Sequence, residues 1–315
     1  MVEIRHLFKD YGRFRAVNDL NLIIPDGSIF GLVGPNGAGK TTTMNIMSGL
    51  LTATAGNILI NGVDVIYNPI ALREKIGFMP DFFGVYDNLK VWEYMDFFEG
   101  AYGVPYGDRK ELTANLLEIV DLSAKLDEYV DTLSRGMKQR LCLARCLVHD
   151  PDVLILDEPA SGLDPRARIE LKEILKQLRQ MGKTIIISSH ILTELSEMCS
   201  EVGIINNGHV VASGNVNDIM RSMRRKRSVY IKPLSMDGAL ARLLEQMPMV
   251  LDIIENVSDI EINFDGEDED LAEIIKRIIS EGIPLLGFRE KEGNLEEVFM
   301  ELTGDKAQIG GINHA

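Results

Sequence analysis

The chain has 315 residues, enough for two domains, and 45% of them are apolar, which allows a sizeable buried core. Its net charge of −15 disfavours general nucleic-acid binding, because the counterion release that drives such binding rewards basic surfaces. No run approaches the roughly 18–20 apolar residues that a bilayer span needs, and the start of the chain has no apolar signal-peptide core. We therefore expect a chain that does not itself cross a membrane and is soluble when isolated.

Short β-branched runs alternate with amphipathic stretches through the first two thirds of the chain. Strands are predicted at 28–34, 152–158 and 183–190, and helices at 40–50, 110–120, 137–148, 166–181 and 191–199. This alternation is typical of an α/β domain with a mainly parallel sheet. The segment 55–65 instead alternates apolar and polar residues about Asn61 and Gly62, which predicts an antiparallel hairpin or edge strands.

The pattern changes between 214 and 228, where a basic run occupies 221–227. This run is interpreted either as a solvated helix end or linker, or as a contact with acidic headgroups or an acidic partner. After it we predict a strand, a helix, a strand pair, a helix, a strand and a closing helix at 295–304. The predicted domains are therefore an α/β domain at 1–219 and a small α+β accessory domain at 228–303.

The chain has three cysteines, and their spacing is not typical of a metal-binding site. Cys142 and Cys146 are four residues apart on a predicted helix, so both lie on one face and are interpreted as small core residues. Together with Cys199 they suit a reducing cytosol.

A glycine-rich segment matches the pattern G-x-x-x-x-G-K-S/T at every position, after an apolar strand and at the start of a helix. Its glycines let backbone N–H groups turn inward around phosphate oxygens. Lys40 can reach terminal phosphates, and the Thr41 hydroxyl can bind Mg²⁺. The alternative is a chance glycine-rich turn. The predicted phosphate-binding residues are Gly34, Pro35, Asn36, Gly37, Ala38, Gly39, Lys40, Thr41 and Thr42.

Two adjacent carboxylates end the second apolar strand. Asp157 is placed to hold Mg²⁺. Glu158 is predicted to orient and deprotonate an attacking water, a general-base contribution of about 10²–10⁴-fold. The alternative interpretation of this pair is a cap for the following helix.

A second anion site is predicted where the turn 133–136 leads into a basic amphipathic helix. Ser134 is a good N-cap, and the start of a helix combines free N–H groups with the positive end of the helix dipole.

In this order and spacing the motifs resemble those of the nucleotide-binding subunits of ABC (ATP-binding cassette) transporters, over about residues 2–219. Residues 34–42 are similar to the family's Walker A motif and 153–158 to its Walker B motif. The segment LSRGM at 133–137 resembles the signature motif, and SGLD at 161–164 resembles the D-loop. The resemblance implies a P-loop ABC ATPase domain with a mainly parallel core sheet, an antiparallel β subdomain and a helical signature subdomain.

The resemblance also assigns roles to single residues. Tyr11 falls where the family stacks an aromatic ring on adenine, although a lone aromatic is otherwise a packing residue. His190, itself unremarkable as a single histidine, falls where a neutral imidazole donates to the γ-phosphate. Ser134 and the Gly136 amide are implied to donate to the γ-phosphate of ATP held by a second subunit, so that two subunits enclose two ATP molecules.

Three positions depart from the family pattern. Arg135 replaces the usual first glycine of the signature motif, and Met137 replaces its usual glutamine. Asp81 stands where the Q-loop glutamine touches the Mg²⁺ site. This aspartate is interpreted as a direct or water-mediated metal ligand that adds repulsion near the γ-phosphate, or as a solvent-facing cap of the following turn.

The implied function is an ATPase, with ATP and Mg²⁺ bound, that drives separately encoded membrane-spanning permease subunits from the cytoplasmic face as a peripheral subunit. The partner ATPase subunit is expected to be a second copy, and no nucleic acid is expected. The C-terminal extension is similar to that of a subgroup serving export or ABC-2-type permeases. The transported substrate is left open.

Two alternative functions fit the sequence less well. The first is a soluble ABC ATPase acting on nucleic acid or ribosomes, but only 93 residues lie between Lys40 and Ser134, with no sustained heptads for a long coiled coil. The second is a catalytically inactive regulatory module, which is disfavoured because Lys40, Asp157, Glu158 and His190 are all present.

Overall fold

The computed structural model describes the chain except for residues 83, 85, 87, 217, 220–225 and 291–315. It forms two compact units, Met1–Val216 and Asn217–Ala315. The closing helix predicted at 295–304 and most of the basic run at 221–227 fall outside the described residues. Within the described part, no helix is both long and apolar enough to span a bilayer.

The first unit is built on a sheet whose described strands follow the order β10-β9-β3-β8-β7-β6. Its strands are β3 (Ile29–Val33), β6 (Ile76–Met79), β7 (Val153–Leu156), β8 (Thr184–Ser189), β9 (Glu201–Asn206) and β10 (His209–Asn215). All neighbours pair in parallel except β10, which is antiparallel to β9. Strands β3, β7 and β8 are buried along their whole length, as their continuous apolar runs predict for a sheet covered on both faces.

An antiparallel sheet with the described order β2-β1-β4-β5 lies beside it in the same unit. Its strands are β1 (Val2–Tyr11), β2 (Phe14–Ile24), β4 (Ala55–Ile60) and β5 (Val63–Asp64). The hairpin predicted at 55–65 is confirmed. Asn61 and Gly62 both have positive φ, 49° and 78°, as a tight two-residue hairpin turn requires. One apolar core joins this sheet to the central one through residues such as Leu20, Phe30 and Ile155.

Helices cover the central sheet and form the helical subdomain. They are α1 (Lys40–Met47), α2 (Pro69–Arg73), α3 (Val91–Ala101), α4 (Tyr106–Ile119), α5 (Arg135–Cys146), α6 (Pro165–Gln180) and α7 (Leu192–Met198). Five of these described helices match predicted ones within a few residues at each end, whereas α2 and α3 were not predicted. Cys142 and Cys146 are free and buried, as predicted, and Cys199 is also free and buried.

The second unit has the order β11 (Lys226–Pro233), α8 (Ala239–Leu244), β12 (Val250–Glu255), β13 (Ile260–Asp265), α9 (Asp268–Ser280) and β14 (Leu285–Glu290). Its described strands pair antiparallel in the order β12-β13-β11-β14. This is the split βαβ, or ferredoxin-like, arrangement. Its core is centred on Ile231, Ile262 and Phe264 of the sheet and on apolar residues of the two helices, which confirms the predicted α+β class.

Candidate functional site

The register of the central sheet brings distant segments to one edge. Val33, the last residue of β3, pairs with Ser189 of β8, and Leu156, the last of β7, pairs with Ile187. Parallel strands end on the same side of a sheet, which is where open α/β sheets form their binding sites. The loop after β3, the carboxylates after β7 and the residues that end β8 therefore meet.

The loop at 34–39, here called the phosphate loop, has a backbone that only glycine can supply at two points. Gly39 has a φ of 105°, and a Cβ there would lie 2.6 Å from the carbonyl oxygen of Ala16. A Cβ on Gly34 would lie 2.3 Å from the carbonyl oxygen of Ile205. The loop then opens α1, so its N–H groups and the positive end of the helix dipole favour an anion.

A cavity of about 420 Å³ opens at this edge. It brings together most of the predicted nucleotide-binding residues and both predicted catalytic ones. Ser134 and Gly136 do not line it, although both are described. Its lining comprises Tyr11, Phe14, Ala16, Pro35, Asn36, Gly37, Gly39, Lys40, Thr41, Thr42, Asp81, Glu158, Ser161 and His190.

Lys40 and Glu158 lie next to each other in the lining of the cavity. Lys40 is buried, and its Nζ donates to the carbonyl oxygen of Gly34 at 2.7 Å and lies 3.8 Å from Glu158 Oε1. Burial lowers the pKa of Lys40, an effect opposed by the negative charges of Glu158 and Asp157. Burial likewise raises the pKa of Glu158, opposed by the hydrogen bond from His190 and the charge of Lys40. Each group thus favours the ionised form of the other.

The backbone at Glu158 is strained. Its φ is +49°, in the left-handed region, where a non-glycine residue costs about 1–3 kcal/mol. The Glu158 N–H donates to Ser188 Oγ at 2.8 Å, and the Ser188 hydroxyl donates to Asp157 Oδ1 at 2.5 Å. Sequence reasoning did not identify Ser188. The available signal was a pair of serines that ends an otherwise isoleucine-rich buried strand.

His190 sits at the mouth of the cavity with its Nδ1 3.1 Å from Glu158 Oε2. If Glu158 is ionised, that nitrogen must carry the proton, because a carboxylate only accepts hydrogen bonds. A neutral ring with its proton on Nδ1 has an acceptor at Nε2. In this arrangement His190 therefore donates from Nε2 to a phosphate only as the imidazolium, whereas the resemblance implied a neutral ring.

Two aromatic side chains flank the cavity at the turn between β1 and β2. Tyr11 and Phe14 are paired across this turn, and both are exposed. Lys9 Nζ lies 5.1 Å from the centre of the Tyr11 ring. Phe14 was missed from the sequence because its role depends on the β1–β2 hairpin, which was not predicted. Either ring offers a face on which a base can stack.

The predicted metal ligands supply oxygen donors only, as Mg²⁺ prefers. Thr41 and Asp81 line the cavity, and Asp157 is 2% exposed beside Glu158. Among the described residues no cluster of three or more histidine, cysteine or carboxylate side chains could hold a metal by itself. A Mg²⁺ ion here fits the site only with further oxygens from a bound phosphate chain, which is the usual arrangement for this ion.

The helix α5 begins as predicted. Ser134 is its N-cap, and Ser134 Oγ accepts from the Met137 N–H at 3.3 Å. Gly136 packs tightly, since a Cβ there would lie 3.0 Å from Ala167 Cβ. The guanidinium of Arg135 lies against Gly162, whose φ is +67° and whose Cβ would be 2.5 Å from Arg135 Nη1. The start of α5 therefore packs against Gly162 and Ala167 of the same chain.

Family models match both units of this chain. The model described as "ABC transporter" matches residues 17–161. The model described as "ATP-binding protein DrrA1-3-like, C-terminal domain" matches residues 214–303.

Curated relatives match nearly the full length. The chain is 31% identical to "Linearmycin resistance ATP-binding protein LnrL" of Bacillus subtilis (strain 168), over 96% of this chain and 98% of that protein. It is 33% identical to "Bacitracin transport ATP-binding protein BcrA" of Enterococcus faecalis, over 99% and 98%. A solved structure, "Structure of ATP binding subunit of ABC transporter", aligns with a TM-score of 0.63 and 30% identity over 71% of this chain and 93% of that one.

The crowding at Gly39 predicts that Gly39→Ala weakens ATP binding at least tenfold more than Gly37→Ala does. Both positions have positive φ, so both substitutions strain the backbone, but a Cβ on Gly37 meets open space whereas one on Gly39 meets Ala16. Titration with a fluorescent ATP analogue measures the difference. Equal affinities for the two variants would show that the close approach to Ala16 does not shape the phosphate loop.

Proposed function

This chain belongs to the ABC transporter ATP-binding family, and from that membership we propose that it hydrolyses ATP in a head-to-tail dimer to drive a separately encoded membrane permease. The observation that carries the proposal is the meeting of the phosphate loop, Glu158 and His190 in one cavity. There, inward N–H groups can hold a phosphate chain while a carboxylate stands beside it to accept a proton.

Different residues of the chain have separate roles in the proposed hydrolysis. The phosphate loop binds the β- and γ-phosphates, and Lys40 leaves the Gly34 carbonyl to pair with them. Glu158, half-buried and next to Lys40, orients water and takes its proton. His190 holds the carboxylate through Nδ1. Tyr11, Phe14 or both stack on the adenine.

Mg²⁺ is the proposed metal, and it neutralises the β- and γ-phosphate oxygens when bound. Thr41 and Asp157 would hold it. Asp81 is exposed and lines the cavity, which supports its proposed role as a further ligand, direct or through water. Its charge makes this position more repulsive to the γ-phosphate than a glutamine would be.

The proposed dimer explains why Ser134 and Gly136 lie outside the cavity of their own chain. The Ser134 N-cap and the following N–H groups form an anion-binding helix start that would donate to ATP held by a second copy. Each of the two sites would then contain the phosphate loop of one chain and α5 of the other.

An exposed aromatic patch, formed by Tyr86 and Phe97, supports the proposed permease contact. Tyr86 packs edge-on against Phe97 with ring centres 5.4 Å apart. An exposed apolar patch of this kind marks a protein interaction site. We infer that an apolar cytoplasmic segment of the permease docks there, which would hold the chain at the cytoplasmic face as a peripheral subunit. The word "resistance" in the name of the Bacillus subtilis relative supports export as the proposed direction of transport.

We expect Glu158→Gln to retain ATP binding, to reduce steady-state hydrolysis by at least 10²-fold, about the general-base contribution, and to accumulate an ATP-bound dimer. The amide has the size of the carboxylate but cannot accept the proton. Phosphate release and gel filtration with ATP are the measurements, and Glu173→Gln, at an exposed position of α6, is the control. Turnover within threefold of the parent would remove Glu158 as the base.

The pH dependence of hydrolysis is expected to follow the raised pKa of Glu158. Activity requires the ionised carboxylate, so it is lost as the pH falls through a value above that of an ordinary glutamate. The hydrogen bond from His190 lowers this pKa, and its removal in His190→Ala should move the acid limb of kcat to higher pH. His6→Ala, at an exposed histidine of β1, serves as the control. A lower or unchanged limb in His190→Ala would contradict the assignment.

Phe97→Asp should reduce the fraction of the chain that sediments with membranes of the producing cells, because a charge in the aromatic patch opposes burial under the permease. Met181→Asp, at the end of α6, is the matched control, since the two side chains are exposed to similar extents, 50% and 53%. Equal sedimentation of the two variants would exclude the patch as the docking surface.

A further inference from the structure

Ser188 occupies an unusual place in the central sheet. It lies on β8, pairs with Leu32 of β3 and is 1% exposed. The neighbouring interior residues Ile185, Ile186 and Ile187 are apolar. A buried hydroxyl is costly unless it is hydrogen-bonded, so its two bonds account for its presence there.

Both bonds of Ser188 go to the two carboxylate residues after β7. A serine hydroxyl has a single hydrogen, and this hydrogen is directed to Asp157 Oδ1 at 2.5 Å. A lone pair of the same oxygen accepts the Glu158 N–H at 2.8 Å. One atom therefore joins the side chain of Asp157 to the main chain of Glu158.

The second of these bonds is made by Glu158, a residue whose backbone conformation is unfavourable. Glu158 has a φ of +49°, and left-handed backbone at a non-glycine residue persists only where the surroundings enforce it. If φ returned to a negative value, the carboxylate would be directed away from Lys40 and His190. The bond from the Glu158 N–H to Ser188 fixes the peptide plane that precedes the Glu158 Cα, and with it the point from which the carboxylate projects.

We propose that Ser188 is a positioning residue for hydrolysis, which sets the direction of the Glu158 carboxylate and, through Asp157, the orientation of the metal-binding oxygen. The inference rests on the proposed function of this cavity and extends it to a residue that touches neither ATP nor the attacking water. Hydrogen-bond partners of metal ligands and catalytic groups act in this indirect way.

The adjacent serine provides a matched control. Ser189 lies on the same strand, but its Oγ accepts from the Ile191 N–H at 3.0 Å and lies 3.2 Å from Glu194 Oε2. Neither partner is a carboxylate of the cavity. Ser189→Ala thus removes the same atoms from the same strand without touching Asp157 or Glu158.

The test compares Ser188→Ala, Ser188→Thr and Ser189→Ala in the full-length chain. We expect Ser188→Ala to lower kcat about 10–100-fold, the usual cost of losing such a partner, with little change in KM. Ser188→Thr, which keeps the hydroxyl, should restore kcat to within about threefold, and Ser189→Ala should leave it unchanged. In a Glu158→Gln background, Ser188→Ala should cost at least threefold less than in the parent, because the two residues act together.

A binding measurement gives a readout that does not depend on turnover. Ser188→Ala should weaken the affinity for Mg²⁺–ATP more than the affinity for ATP in the presence of EDTA, since only the former uses Asp157. Thermal unfolding verifies that the variants are folded. If Ser188→Ala does not fold, Ser188→Cys replaces it, because its thiol is a weak donor of similar size.

The inference is overturned if Ser188→Ala keeps kcat within threefold of the parent, or if Ser189→Ala loses as much. It is also overturned if Ser188→Thr fails to restore activity while remaining folded. Failure of the proposed function looks different: the parent would not hydrolyse ATP, or Glu158→Gln would remain active. Loss of hydrolysis in Glu158→Gln without loss in Ser188→Ala would reject the role of Ser188 and leave the proposed function standing.

Discussion

The parallel register of β3, β7 and β8 is the constraint on which the rest of this structure depends. It places the ends of three strands at one edge, so the phosphate loop converges with the carboxylate pair and His190, which lie more than a hundred residues later in the sequence. The continuous apolar runs of these strands hold the register, because any shift would bury the carboxylates or expose the isoleucines. Residues at this edge can be polar and charged because the strands beneath them are buried along their whole length.

Much of this arrangement was predictable from the sequence, because several of its parts depend only on a few consecutive residues. The phosphate loop is recognisable because Gly34 and Gly39 each meet a carbonyl oxygen that leaves no room for a side chain. The Ser134 cap and the hairpin at Asn61 are likewise properties of a few consecutive residues. The α+β second unit followed from alternating strand and helix patterns in the same way.

What could not be predicted depends on contacts between distant segments. The role of Ser188 arises only when β8 lies beside β7, and Phe14 flanks the cavity only through the β1–β2 hairpin. Helix α3 was missed although Val91, Tyr94 and Met95 are buried at helical spacing, because the exposed aromatic residues Trp92 and Phe97 interrupt that apolar pattern in the sequence. The contact between His190 Nδ1 and Glu158 likewise depends on β7 and β8 lying side by side, which no local spacing predicts.

The fit between Arg135 and Gly162 has a consequence for how sequences of this kind can diverge. A Cβ at 162 would lie 2.5 Å from a guanidinium nitrogen, and the backbone there has a φ of +67°, so any side chain at this position meets both an occupied space and an unfavourable backbone. The backbone is the stricter of the two conditions, because the flexible end of the Arg135 side chain can move away. Among homologous chains, the glycine should therefore be retained whichever residue stands at the position of Arg135.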